Sequence, residues 1–177
     1  MGDAKKTVEI WDIRDQYGNK TGRTIARGNQ LNPGDYHLVV HMWVKDDMDR
    51  FLIQQRSAHV VDPNIWAPTC GSAIQGEESQ KAAIREMREE LGLQIYPDEM
   101  ERVVRLVGPD IMVGANVLLD IWQINKNVPV EEIRFLDGEV SQVKWATKSE
   151  IEALMEEDIF PRYGPNYLKP IFKGMGV

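Results

Sequence analysis

Three glutamates, Glu86, Glu89 and Glu90, fall within five residues of a stretch that runs from Gly71 to Leu93, GSAIQGEESQKAAIREMREELGL. Carboxylates are hard oxygen donors, and several of them converging on one point suit a divalent cation such as Mg²⁺ or Mn²⁺. Without an ion the same acids repel one another, by roughly a few tenths of a kcal/mol per solvated pair at i,i+3 or i,i+4 spacing. Lys81, Arg85 and Arg88 offer the other outcome, an ordinary solvated face with its charge partly neutralised. Further side chains with chemistry to offer are Glu77, Cys70, Arg56, Glu139 and the histidines His37, His41 and His59.

The acids need a helix to bring them together. Ser79 is a good N-cap, Glu77 and Glu78 lie on the favourable side of the dipole, and Gly92 is a natural left-handed terminator. At about 100° per residue the three acids fall within an arc of about 100°. Ile84, Met87 and Leu91 take the opposite side, so the helix is expected to pack one stripe on a sheet and turn its carboxylates away. Strands are expected at VEIWDI (8–13), YHLVVHMWV (36–44), FLIQQRS (51–57), RVVRLV (102–107), NVLLDIWQI (116–124) and SQVKWAT (141–147). DQYGNKTG reads as turn and VVDPNIWAPTCG as loop, both punctuated by Gly or Pro. Ser149 is expected to cap a second helix, EIEALMEE, and the proline-rich FPRYGPNYLKPIF reads as irregular with one helical turn. Strands interleaved with helices predict an α/β fold, a mixed sheet with helices on its faces.

Composition limits the function. The 177 residues, 42% hydrophobic and 28% charged, suit one globular domain spanning 1–177. The single cysteine excludes an internal disulfide framework and suits a reducing compartment. No apolar run approaches the roughly 20 residues needed to span a bilayer, and MGDAKKTVEIWD lacks the apolar middle of a secretory signal. A net charge of −7 argues against nucleic-acid polymers and anionic membranes. It leaves room for a small phosphorylated ligand, because a divalent ion reverses the local sign of a site. The expectation is a cytoplasmic chain.

The stretch resembles the signature of the Nudix hydrolase superfamily: Gly, five residues, Glu, seven residues, then Arg-Glu-aliphatic-x-Glu-Glu-x-Gly-aliphatic. Gly71, Glu77, Arg85, Glu86, Met87, Glu89, Glu90, Gly92 and Leu93 fill its nine positions. The resemblance implies the Nudix fold, an α/β/α sandwich with a mixed sheet and a loop-helix-loop box. It implies Mg²⁺-dependent hydrolysis of a nucleoside diphosphate linked to another group, by a metal-activated water. Glu86 and Glu90 would be direct ligands, with Glu89, Glu77 and the backbone carbonyl of Cys70 contributing. Arg85 would orient Glu89, and Gly71 and Gly92 would shape the backbone. The proton acceptor would be Glu89, Glu86 or a later glutamate, for which Glu139 is the candidate.

The residues before the box, WAPTCG, are similar to isopentenyl diphosphate isomerase, a Nudix-fold enzyme with a cysteine where Cys70 stands. His37 and Arg56 also match that branch, at a metal-binding histidine and a diphosphate-binding arginine. Three departures favour hydrolysis: Ser72 stands where the isomerase has a histidine, the acidic core of the box is intact, and residues 111–126 hold only one acid, Asp120. A nucleotide-sensing domain is a third reading, and such domains lose acids that this chain keeps. Cys70 and His41 are expected to be packed, Trp66 to stack on a base or support its loop, and Arg56 to contact phosphate. The expected partner is a small phosphorylated molecule; a homodimer is left open.

Overall fold

The computed structural model describes residues 8–108 and 116–173. Residues 1–7 of the segment MGDAKKTVEIWD and residues 111–115 of the stretch that holds Asp120 lie outside the described residues. The elements in order are β1 (Ile10–Arg14), β2 (Lys20–Ala26), β3 (His37–Lys45), β4 (Phe51–Arg56), β5 (Trp66–Ala67), β6 (Thr69–Ser72) and α1 (Ser79–Leu91). They continue with β7 (Met100–Val107), β8 (Val117–Asn125), β9 (Val140–Ala146), α2 (Lys148–Glu156) and α3 (Pro165–Phe172).

The rich apolar run of β3 marks it as the centre of the sheet. On one side it pairs in parallel with β8 along its whole length, from His37↔Val117 to Lys45↔Asn125. On the other side it is shared: Val39–Met42 pair with β6, and Val44 and Lys45 pair with β4. The mixed sheet therefore runs β5-β4-β3-β8-β7, with β6 added to β3 and β9 added to β4. It forks where β4 and β6 part. Side chains alternate across it as a strand requires. Leu38, Val40, Met42 and Val44 pack with Ala83, Met87 and Leu91 of α1. Trp43, Phe51 and Ile53 pack with Ile151 and Met155 of α2 and Tyr167 and Ile171 of α3. The sheet lies between α1 and the α2–α3 pair, the α/β/α arrangement expected. Among the described residues no helix is long and apolar enough to cross a membrane.

Four local expectations need correction. β2 occupies part of the segment read as turn; most of its residues are exposed, so it carries no alternating pattern and gains its order from pairing with β1. β6 takes in the end of the segment read as loop and the first two residues of the box, Gly71 and Ser72, and completes an edge of β3. The tail forms a two-turn helix because Pro165 sits in its first turn, where no N–H is needed, while Tyr167 and Ile171 bury one face. The caps shift as well. Ser79 is the first residue of α1 and its hydroxyl accepts from Trp122 Nε1 at 2.9 Å, while Thr147, in a capping box with Glu150, starts α2.

The second core is pinned by one hydroxyl. Tyr167 Oη accepts from Trp43 Nε1 at 3.0 Å and lies 2.7 Å from His41 Nδ1. Tyr167→Phe leaves the buried Trp43 N–H without a partner and should cost about 1–3 kcal/mol in urea unfolding with the same denaturant slope.

Candidate active site

Strand alternation decides which side of β6 does what. Cys70 pairs with His41 and Gly71 with Val40, so the Cys70 side chain shares the α2–α3 face while Gly71 turns toward α1. There it meets Glu86. A methyl group built on Gly71 would stand 2.0 Å from the Glu86 carboxyl carbon, so only glycine lets this carboxylate lie against the strand. The helix ends at Gly92 in the left-handed conformation, φ 67°, as expected.

Arg85 gathers the first group of acids. Its Nε and Nη2 donate to Glu77 at 3.0 Å, and its Nη1 donates to Glu86 at 2.8 Å and to Glu89 at 3.0 Å. Nη2 also donates to the carbonyl of Ser72 at 2.9 Å, which ties α1 to the end of β6. Burial works against the Arg85 charge, but Glu77, Glu86 and Glu89 outweigh it and hold the guanidinium firmly protonated. Burial pushes the Glu86 carboxyl up to about 7 despite the arginine beside it.

A second group forms where α1 faces the start of β9. Carboxylate oxygens of Glu90, Asp137 and Glu139 all lie within 4.8 Å of one another. Glu90 is only 4% exposed, against the expectation that the acids of α1 turn away from the protein. Gln54 on β4 explains how it is held there: its amide donates to Glu90 and its carbonyl oxygen accepts from Thr69 Oγ1 at 3.1 Å. Burial, reinforced by Glu86, Asp137 and Glu139, pushes the Glu90 carboxyl well above its usual range. Acids so placed are poorly solvated and mutually repelling, and oxygen ligands of this kind fit a hard divalent cation. Asp137 and Gln54 are additions to the predicted set. A polar residue inside the apolar run FLIQQ was the available signal for Gln54; Asp137, two residues from Glu139 in a glycine turn, had none beyond proximity.

The remaining predicted residues divide. Cys70 and Arg56 both line a cleft of about 660 Å³ on the α2–α3 face. Burial, with Glu90 and Glu86 adding to it, pushes the Cys70 thiol up to about 12, so it is a neutral packed group. Arg56 donates from Nε to the Val61 carbonyl at 2.7 Å. Trp66 is not free to stack on a base: it is 8% exposed, packs in the second core, and has Lys144 Nζ 4.4 Å above its ring. His37 stacks on Trp11 at 4.1 Å and lines a different, smaller cleft with Asn29, Gln30 and Asn116. Burial and then Arg27 push its imidazole down to about 4, so it is neutral. Asp120 stands apart from the acids, fully buried and paired with Arg105 at 2.6 Å.

The NUDIX domain model matches residues 35–165, which contain both groups of acids and every strand of the larger sheet. An uncharacterised Nudix hydrolase of Listeria monocytogenes is 34% identical over 158 residues, covering 88% of this chain and 90% of the relative. A crystal structure from Deinococcus radiodurans has a TM-score of 0.72 at 18% identity, covering 92% of this chain and 98% of that one. The Nudix domain of Shewanella oneidensis NrtR, solved with ADP ribose, has a TM-score of 0.57 at 15% identity over 79% of this chain and 88% of that one. The chain belongs to the Nudix family and is an enzyme of its pyrophosphohydrolase kind.

Two measurements probe this geometry. Gly71→Ala should keep the fold yet displace Glu86, lowering family-type turnover at least tenfold. In chelator, folding stability should fall as pH rises from about 5 to 8. The Glu86 carboxyl titrates near 7 when folded and 4.5 is its ordinary value, so its stabilising protonation is complete at low pH and is lost as pH rises through 7. Thermal melts of wild type and Glu86→Gln across that range check this; the variant should show the shallower decline.

Proposed function

We propose that this chain hydrolyses a diphosphate linkage in a nucleoside diphosphate joined to a second group, with Mg²⁺ as its ion and Mn²⁺ able to replace it. The observation that carries the reading is the convergence of two acidic groups on α1, one gathered by Arg85 and one centred on buried Glu90. Glu86 and Glu90 would hold the ion, with Glu77, Glu89, Glu139 and the Cys70 carbonyl sharing further ions, and Asp137 joins that set. When bound, the ion supplies charge neutralisation on the diphosphate and a more acidic water.

The chain's own residues supply the rest. Water forms a bond to one phosphorus as the bridging P–O bond breaks, and the bridging oxygen leaves on the other phosphate. Glu89 is the acid best placed to take the proton from water. Its side chain is 44% exposed, whereas Glu86 is pressed against Gly71 and Glu90 is buried against Gln54. Arg85 Nη1 donates to the Glu89 carboxylate at 3.0 Å and so fixes its position. Arg56, which lines one cleft together with Cys70, would contact phosphate. All these residues come from one chain, so a homodimer is not needed to complete the site. The small-molecule substrate and the reducing character of a lone cysteine are consistent with work in the cytoplasm.

Support for isomerase chemistry is weaker. Its proton transfers need a responsive thiol and a second acid, whereas Cys70 is held neutral and Asp120 is already paired with Arg105. Glu86→Gln and Glu90→Gln should each lower metal-dependent phosphate or nucleotide release at least a hundredfold, with circular dichroism unchanged. The assay is a mixed panel of nucleoside diphosphate derivatives in Mg²⁺ and in Mn²⁺. Near-normal rates in both variants would remove these two residues from the site.

A further inference from the structure

The turn that carries Glu77 is held by a strand that precedes the matched domain. Residues 73–78 join β6 to α1. Within them Glu77 donates its N–H to the Ile74 carbonyl at 3.0 Å, and the Ile74 N–H donates to the Glu77 carboxylate at 3.1 Å. Arg85 meets that carboxylate from α1, and β1 fixes the backbone behind it. Gln75 donates its N–H to the Ile10 carbonyl at 2.7 Å, and Gly76 donates its N–H to Asp12 Oδ2 at 2.8 Å. The Glu77 carbonyl accepts from Arg14 Nη2 at 3.1 Å. Three consecutive residues of the turn are thus met by every second residue of β1. The family match begins at residue 35, and β1 lies before it.

A two-stranded hairpin has little stability of its own, and β2 is mostly exposed, so β1 needs a seat. Trp11 and Ile13 are buried, and Arg14 exchanges backbone hydrogen bonds with Tyr36 at 2.8 and 2.9 Å. The turn of the hairpin rests on Arg105 of β7. A side chain on Gly18, where φ is 92°, would collide with the Arg105 guanidinium. Arg105 is in turn gripped at 2.6 and 2.7 Å by the fully buried Asp120, which gives that isolated acid a task. Arg14 is the joint between seat and turn: Nη1 donates to the Gly18 carbonyl at 2.9 Å while Nη2 holds Glu77. Its side chain is only 5% exposed, so these bonds are made out of water. The ion pairs of Glu78 with Arg14 and Lys20 add little, because Glu78 is largely exposed.

We propose that the β1–β2 hairpin is a clamp for the cation site, with Arg14 and Asp12 as positioning residues that act through Glu77. They hold its backbone where Arg85 gathers its carboxylate with Glu86 and Glu89. This rests on the assignment of Glu77 as a ligand in the reading above. Groups that orient a ligand from behind typically change affinity for the ion by roughly 10–100-fold when removed.

Isothermal titration of Mn²⁺ alone into the chelator-treated full chain tests the clamp, using wild type, Arg14→Gln, Glu77→Gln and the double variant. Each single variant is expected to bind Mn²⁺ at least fivefold more weakly. The double variant is expected to lie within twofold of Glu77→Gln, because Arg14 reaches the ion only through that residue. Losses that multiply in the double variant would make Arg14 a general support and overturn the proposal, as would unchanged affinity in folded Arg14→Gln. Unchanged affinity in Glu77→Gln overturns it too and leaves Glu86 and Glu90 as a cation site. Wild type that binds no Mn²⁺ overturns the proposal together with the reading beneath it. If Arg14→Gln does not fold, Asp12→Ala, which removes the acceptor of the Gly76 N–H, decides on the same terms, alone and combined with Glu77→Gln.

Discussion

Like charges forced together in a half-buried place dominate this structure. Glu77, Glu86 and Glu89 are kept within reach of one guanidinium, and Glu90 is drawn into the protein on the next turn beside Asp137 and Glu139. One arginine cannot neutralise that many carboxylates, and burial adds to the cost of leaving them charged. The raised Glu86 and Glu90 carboxyls are the visible sign of that imbalance. A divalent ion with oxygen ligands would remove it, and the diphosphate hydrolysis proposed above would draw on that same ion.

The sheet is organised around the place where this occurs. β3 gives half of one edge to β6 and the rest to β4, and the fork lets α1 approach a strand whose Gly71 has no side chain. Gln54 crosses from β4 to hold Glu90, and the loop before β9 brings Asp137 and Glu139 to the same point. Because β6 alternates, its next residue, Cys70, faces the opposite side and the apolar cleft. The four-residue β6 thus has the acids on one face and the cleft on the other.

Much of this was legible in the sequence because it follows local rules. The 3.6-residue period put Glu86, Glu89 and Glu90 on one arc, Gly92 ended the helix, and the apolar runs of β3, β4 and β8 marked the sheet. What escaped depends on partners distant in the chain. The direction of the acidic arc was misread because periodicity tells which residues share a face, not what the face meets; only Gln54, 36 residues away, explains the burial of Glu90. Trp66 was offered as a stacking residue from its place near the box, and its packing under Lys144 of β9 is a tertiary fact. β2 and β6 lacked any pattern of their own, and α3 was hidden by its prolines, of which Pro165 falls in the first turn while Pro170 lies inside the helix.

The account's central claim is that the acids of α1 form a cation site within a single chain. Isothermal titration of Mn²⁺ into chelator-treated wild type, Glu90→Gln and Glu86→Gln tests it most directly, since it reads binding without any substrate. The account predicts saturable binding to wild type that weakens at least tenfold in each variant. Heat-silent titration of folded wild type, confirmed by the absence of any bound-ion signal in electron paramagnetic resonance, would contradict it, as would undiminished affinity in both variants.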